Sequence, residues 1–287
     1  MPVRNEDWIL ALSARVALQW CDALIIGTHD CTDGSMSIVQ ELMMEFPRRV
    51  LCLQQDHGEW REMEHRKNLL HMARNYEATH ISIIDADEVL TANLIPRVRS
   101  LVEGTPRGQI LQLPLYNLRG GIGTYHANGL WGNRIVSVAF ADDPALHWGG
   151  DRFHHREPMG RKMIGFCPVS QGDGGVLHFW GASERRLKAK HALYKVTEAL
   201  RWPEKPIREI DRTYSMWRDG TRMGGENPMK WEYTSVQHGW LDYRFSAHSL
   251  AAVDLGGVPW QEAEVKRLIA EHGRERFAGL DLFGVDA

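Results

Sequence analysis

Between residues 22 and 116, short apolar runs alternate with longer stretches whose apolar residues recur every three or four positions. Residues 22–30 (DALIIGTHD), 49–55 (RVLCLQQ), 78–90 (ATHISIIDADEVL) and 108–116 (GQILQLPLY) read as buried strands. The stretch 33–46 places Ile38, Leu42 and Met43 on one helical face behind Asp33 as N-cap. The stretch 60–76 carries Met63, Leu69, Leu70 and Met72 in a second stripe, and 91–104 follows Thr91 as a further N-cap. Such alternation predicts βαβ units: an α/β, Rossmann-like architecture with a mostly parallel sheet flanked by helices. In a sheet of that kind, ligands sit beyond the carboxyl ends of the strands. The polar clusters Thr28 to Asp33 and Asp85 to Glu88 fall there.

After residue 116 the texture changes. Residues 117–133 are rich in Gly and Asn, and residues 137–160 are short strand-like pieces dense in His and Trp. A last strand is expected at 175–181. Helices are expected at 183–202 behind Ser183, at 206–220, and at 259–273 closed by Gly273. The expected organisation is one continuous domain. A nucleotide-binding half spans 1–116, and a mixed β and helical half, 117–287, shapes a second substrate site.

The chain has 287 residues, 43% of them hydrophobic and 25% charged, which excludes disorder and fibrous repeats. No apolar run approaches the roughly 18–20 residues that cross a bilayer, and the first residues lack the pattern of a signal peptide. Cys21, Cys31, Cys52 and Cys167 show no CxxC pairing. They read as reduced thiols, and the expected location is cytoplasmic, with peripheral contact at the inner membrane face kept open. Eleven tryptophans read either as core or as platforms for a sugar or a base.

The segment DADEVL (85–90) carries the clearest chemistry. Two carboxylates two residues apart after an apolar strand suit one hard cation, Mg2+ or Mn2+, with positions left open for phosphate oxygens. Such an ion neutralises a diphosphate leaving group. The competing reading is a solvated strand end. Three further segments precede it: PVRNE (2–6), THDCTDGS (28–35) and HRKNLL (65–70). Each alone has a plain structural explanation, Asp33 as a helix cap and Arg66 as a solvated helix residue.

Their order resembles that of family 2 glycosyltransferases of the GT-A fold, over roughly the first third of the chain. The resemblance implies that Pro2, Val3, Asn5 and Glu6 line the nucleotide pocket of a nucleotide-diphospho sugar. It implies Thr28, Asp30 and Asp33 near base and ribose, Arg66 near the nucleotide, Asp85 near ribose or metal, and Asp87 as direct metal ligand. The later segments HREP (155–158), LHFW (177–180), AKHALYK (189–195) and LDLFG (280–284) resemble a bacterial subgroup of that family. Three departures stand out. Only three residues precede Arg4, Thr28 replaces the usual acid of the base-binding turn with Asp30 two places on, and EALRW (198–202) has Glu198 where processive members have Gln. A processive polymer synthase is therefore not expected.

An inverting transfer needs a base for the acceptor hydroxyl. Asp151 is the first candidate and Glu157 the second, in the polar stretch 149–158, although Asp151 can equally pair with Arg152 or Arg156. His178 is a candidate to complete the metal shell, or a hydrogen-bonded core histidine, and Trp180 is a sugar platform or a core residue. The net charge of −3 hides an asymmetry. Residues 151–208 hold 12 Lys and Arg against six Asp and Glu, an excess of +6 that leaves −9 elsewhere. Arg185, Lys188 and Lys195 fall near one stripe of helix 183–202, either a solvated face or a cationic wall for an anionic partner.

The expected function is metal-dependent, inverting sugar transfer to an acceptor hydroxyl of a cell-envelope glycan or lipid-linked precursor. Phage-type transfer to a hydroxymethylated base in DNA is the alternative acceptor class. A sugar nucleotidyltransferase and an inactive nucleotide-sugar binder are more distant alternatives.

Overall fold

A computed structural model describes residues 1–55, 61–152, 154–219 and 231–287. Trp60 and Gly220, expected at helix ends, and Phe153 lie outside the described residues. In chain order the elements are β1 (Pro2–Val3), α1 (Leu10–Ala17), β2 (Leu24–His29), α2 (Ser35–Glu45), β3 (Val50–Gln55), α3 (Glu62–Asn75), β4 (His80–Ser82), β5 (Glu88–Leu90), α4 (Ile95–Glu103) and β6 (Gln109–Arg119). Then come β7 (Thr124–His126), β8 (Arg134–Ala141), β9 (Ile164–Phe166), β10 (Val176–Gly181), α5 (Glu184–Arg201), α6 (Ile207–Asp219), β11 (Tyr233–Ser235), α7 (Ala247–Ala251) and α8 (Trp260–His272). The chain divides into two compact units. One comprises Met1–Leu115, Arg134–His178 and Gln237–Val253; the other comprises Tyr116–Asn133, Phe179–Val236 and Asp254–Ala287. The first unit thus takes residues from both of the expected halves.

The first unit is an α/β structure with both parallel and antiparallel pairing. Strands β1, β2 and β3 form a parallel sheet, with Pro2 opposite Gly27 and Leu24 opposite Val50. The other pairings correct the expected mostly parallel sheet. β4 and β6 each pair antiparallel with β8, β10 pairs antiparallel with β5, and β9 runs parallel to β6. Helices α1 and α2 connect β1 to β2 and β2 to β3, which pair parallel, whereas β6, β7 and β8 follow one another without a helix and pair antiparallel. The expected strand 78–90 is two strands, because residues 85–88 close a turn. Glu88 N donates to the Asp85 carbonyl at 3.1 Å, and Asp85 N donates to Glu88 Oε2 at 3.2 Å. Helix α4 begins at Ile95, not at Thr91, since Pro96 suits its first turn. The Thr91 hydroxyl instead accepts from Gly175 N. Met63, Leu70, Ile83, Ile110, Phe140, Leu146 and Trp148 pack into a core beneath the helices.

In the second unit, β7 pairs antiparallel with β6 and with β11. Ser183 caps α5 as expected, accepting from Arg186 N. Gly273, at φ 81°, ends α8 in the left-handed region that glycine tolerates. Helices α5, α6 and α8 bury Ala192, Val196, Ile210, Tyr214 and Val265 against Leu282 of the closing LDLFG segment. The end of AKHALYK is tied to the same segment. Lys195 is fully buried, and its Nζ donates to Asp211 Oδ1 (2.7 Å), Ser215 Oγ (2.8 Å) and the Asp281 carbonyl (2.7 Å) while lying 4.0 Å from the Phe283 ring. Two motifs separated by some 85 residues are therefore one interaction. Lys195 is not on a solvated stripe. Arg185 pairs with Glu262 and Lys188 with Glu184, so the three bases do not make a cationic wall.

His126 makes this unit acid-sensitive. Both its ring nitrogens are buried without a hydrogen-bond partner, between the rings of Trp231 and Tyr233. Burial, reinforced by Arg119, pushes its pKa down to about 4. The native ring stays neutral while the unfolded one takes a proton below about 6.5, so stability is full above that pH and falls as the pH drops toward 4. The 2.5-unit window is worth about 3 kcal/mol. His126→Phe is expected to flatten the stability profile between pH 4 and 6.5 by that amount, measured by urea unfolding. A residual slope remains from His65, whose pKa burial also lowers to about 4.

Candidate functional site

Two clusters of predicted site residues form at the carboxyl ends of strands in the first unit. The parallel pairing of β1 and β2 brings the segments 2–6 and 28–35 side by side. Asn5 follows β1 with φ 55°, a left-handed conformation that Asn tolerates, and is buried. Its Oδ1 accepts from Thr32 N at 2.6 Å and from Asp33 N at 3.3 Å, bracing the turn. Glu6 N donates to Ser35 Oγ, and Glu6 Oε2 accepts from Trp8 Nε1 at 2.7 Å. Asp33 Oδ1 accepts from Ser35 N and Oδ2 from Asp7 N, so this carboxylate holds the start of α2. Val3 and Thr28 are buried and Pro2 is half-buried. Asp30 has φ 41° and lies 3.4 Å from His29 Nε2.

The second cluster is the turn after β4. Asp85 meets two guanidinium groups, Arg66 Nη2 at 3.3 Å and Arg156 Nη1 at 3.5 Å. Burial alone would raise the Asp85 carboxyl, but Arg66 and Arg156 overcome it and hold it below the ordinary carboxylate value. Arg156 also donates to Glu88 Oε1 (2.8 Å), the Ile83 carbonyl (2.6 Å) and the Ser137 carbonyl (2.6 Å). Burial would weaken its proton affinity, yet Glu88 and then Asp85 raise it, so the guanidinium is locked in its charged form. Glu62 completes the network, taking Arg66 Nε at 3.1 Å and His154 N at 2.8 Å. In this way α3 and the loop that carries HREP are both fastened to the acidic turn.

Asp87 faces a different partner. The β10–β5 register sets His178 opposite Glu88, and His178 Nε2 lies 3.6 Å from Asp87 Oδ2. The Asp87 residue is 6% exposed and Glu88 is 3% exposed. Two ligands of one ion, each about 2.1 Å from it, are separated by roughly this distance. The carboxylate and imidazole therefore fit a divalent cation between them. Among the described residues no three His, Cys, Asp or Glu side chains converge on one point, so further ligands would come from phosphate oxygens or water.

The candidate bases are placed on the loop that Arg156 anchors. Asp151 is exposed. Glu157 is exposed as well, and its Oε1 accepts a short hydrogen bond from Ser137 Oγ. In the second unit Trp180 lies in the core, its ring 4.7 Å from that of Trp131 and 5.4 Å from that of His191. No described tryptophan is exposed. The residues missing from the sequence reading are Glu62, Glu88 and Arg156. The last two lay inside segments already singled out, DADEVL and HREP, while nothing in the sequence marked Glu62.

No protein-family model matches the chain, and no curated protein does. Among solved structures it is similar to S. aureus TarS 1–349, at 10% identity and TM-score 0.43, covering 96% of this chain and 86% of that one. The structure of TarS 1–349 in complex with UDP matches over 42% of this chain at 12% identity and TM-score 0.35, and there the chain spans only 35% of the other. The mannosyltransferase PcManGT from Pyrobaculum calidifontis, in complex with GDP-Man and Mn2+, matches at 14% identity and TM-score 0.37, with 96% and 80% of the two chains covered.

Proposed function

We propose that the protein is a metal-dependent, inverting glycosyltransferase that uses a nucleotide-diphospho sugar. The observation that carries this is the pairing of Asp87 and His178 at 3.6 Å beside an acidic turn already neutralised by Arg66 and Arg156. Asp85 and Glu88 are bound by arginines, whereas Asp87 lies beside His178. A divalent cation there offsets the charge of the departing diphosphate. The motif order PVRNE, THDCTDGS, HRKN and DADEVL supports the same reading and assigns the base and ribose to the region of Asn5, Thr28, Asp30 and Asp33.

In the transfer, the acceptor hydroxyl oxygen attacks the anomeric carbon as the bond to the diphosphate oxygen breaks. The electron pair leaves on the diphosphate. The hydroxyl proton passes to a carboxylate of the HREP loop, Asp151 or Glu157. Asp151 is the first candidate and Glu157, whose carboxylate accepts from Ser137, the second. We favour a glycan hydroxyl of a cell-envelope precursor as acceptor over DNA. Arg156, Arg161, Arg185, Lys188, Lys195 and Lys205, half of the twelve Lys and Arg in 151–208, are each held in ion pairs. Among the described residues no helix is long and apolar enough to cross a membrane.

A donor screen tests the reading. The protein is incubated with UDP-, GDP-, dTDP- and CMP-sugars, with and without Mn2+, and released nucleotide is measured. Release from one diphospho-sugar class that requires the metal is expected. Metal-independent release, or none from any donor, overturns it.

A further inference from the structure

Unpaired hydrogen-bonding groups gather on one face of the second unit. The register of β6 and β7 sets Leu118 opposite Tyr125, hence Asn117 opposite His126 and Arg119 opposite Thr124. Side chains alternate along a strand, so Asn117, Arg119, Thr124 and His126 share one face. β11 continues it, with Tyr233 opposite His126. His126 is 1% exposed, and neither ring nitrogen has a hydrogen-bond partner among the described residues. Arg119 Nη1 is buried and unpartnered as well, while its Nη2 lies 4.0 Å from Glu184 Oε2. The indole N–H groups of Trp131, Trp217 and Trp231 are in the same state.

These residues are neighbours. The Trp231 ring lies 5.1 Å from that of His126, and the Tyr233 ring 5.0 Å. The Arg119 guanidinium stands 5.1 Å from the centre of the Trp217 ring, and Arg119 adds to burial in holding His126 neutral. Asn117 Nδ2 donates to the Trp131 carbonyl at 2.8 Å, and Trp131 packs with Trp217 in one aromatic cluster. The face reaches solvent at the edge strand β11, where Tyr233 is exposed and Trp231 half-buried.

A buried polar atom without a partner costs free energy, and phenylalanine would fill the same space without that cost. The unpaired atoms specify what would satisfy them. Arginine and indole nitrogens are donors only, so a ligand must bring oxygen acceptors. A neutral imidazole has one N–H and one lone pair, so the ligand must also donate to it. Hydroxyl groups do both; a carboxylate or phosphate does not. The surrounding rings favour a ligand with apolar C–H faces. A pyranose ring combines these properties.

We propose that this face of the second unit is a saccharide-binding site, in which a sugar ring packs against Trp231 and Tyr233 and its hydroxyls pair with His126 and Arg119. The site goes beyond the transfer reading and stands without it, since binding needs neither nucleotide nor metal.

The test is a titration of the full chain at pH 7.5 with the tetrasaccharides of N-acetylglucosamine, mannose and galacturonate, without nucleotide or metal. Tryptophan fluorescence and Tm are read. A saturable fluorescence change with at least one neutral sugar is expected, with a Tm gain of about 2 °C or more at ten times Kd. His126→Phe keeps a ring and removes both nitrogens, and should weaken binding at least about tenfold. Trp231→Phe keeps a ring and removes one donor, and should weaken it several-fold; it carries the test alone if His126→Phe does not fold. No saturable response to any of the three sugars overturns the proposal. So does a response to galacturonate alone, which marks an anion site, or undiminished binding by the folded variants.

Discussion

Asp87→Ala is expected to lower metal-dependent nucleotide release at least about 100-fold while the protein stays folded. Asp85 and Glu88 are committed to Arg66 and Arg156, and their removal would disturb the fold before it disturbed chemistry. Asp87 faces His178, and its negative charge works against that of Asp85. Removing it relieves a like-charge repulsion with Asp85, and Arg156 keeps Asp85 and Glu88 as partners, so the protein should stay folded. Activity is read with the donor identified by the screen, across a Mn2+ titration. Full turnover by Asp87→Ala would refute the metal-binding role. His178→Ala should weaken the Mn2+ dependence with a smaller loss at saturating metal, since an imidazole position can be taken by water.

The largest effect on stability is expected from Arg156→Ala, a loss of about 3–5 kcal/mol in urea unfolding. This guanidinium joins two carbonyls and two carboxylates from two separate stretches of chain, 83–88 and Ser137, and Glu88 is almost fully buried. Truncation leaves the Glu88 carboxylate without its cation and two buried carbonyls without their donor. Arg156→Lys should recover only part of the loss, because an ammonium cannot reach both carbonyls and both carboxylates as the planar fork does. Pairing Arg156→Ala with Glu88→Gln should recover more, because the buried charge then disappears with its partner. Additive losses in that double variant would show that the ion pair is not the source of the effect.

The helices α2, α3, α5, α6 and α8 were legible because each carries an apolar stripe with a recognisable start or stop. Ser183 and Gly273 act as the cap and the stop their residue types suggest. Strand pairing was not legible to the same degree. The alternation in 22–116 suggests a mostly parallel sheet, and β1 to β3 are parallel. An apolar run does not state its partner, however, and β4 pairs with β8 and β5 with β10 across long stretches of chain. The break at 85–88 was hidden for a related reason. The six residues DADEVL show no Gly or Pro, and the turn is closed by the Asp85 and Glu88 backbone and one carboxylate.

The candidate site divides along the same line. Spacing along the chain singled out DADEVL, and the motif resemblance singled out HREP and His178, as carriers of polar chemistry, because carboxylates, guanidinium and imidazole bring that chemistry wherever they sit. It also placed Lys195 on a basic stripe, where the fold instead buries it beneath Phe283. Which acid is neutralised by which cation depends on contacts between residues 19 to 91 positions apart. Arg66 and Arg156 close on Asp85, and His178 reaches Asp87, only after β10 has paired with β5 and the loop before Pro158 has folded back. Residue type and local order thus determined what chemistry the chain carries. The tertiary structure alone decided which acid is held by which cation, because Coulomb and hydrogen-bond energies depend on distances that sequence separation does not contain.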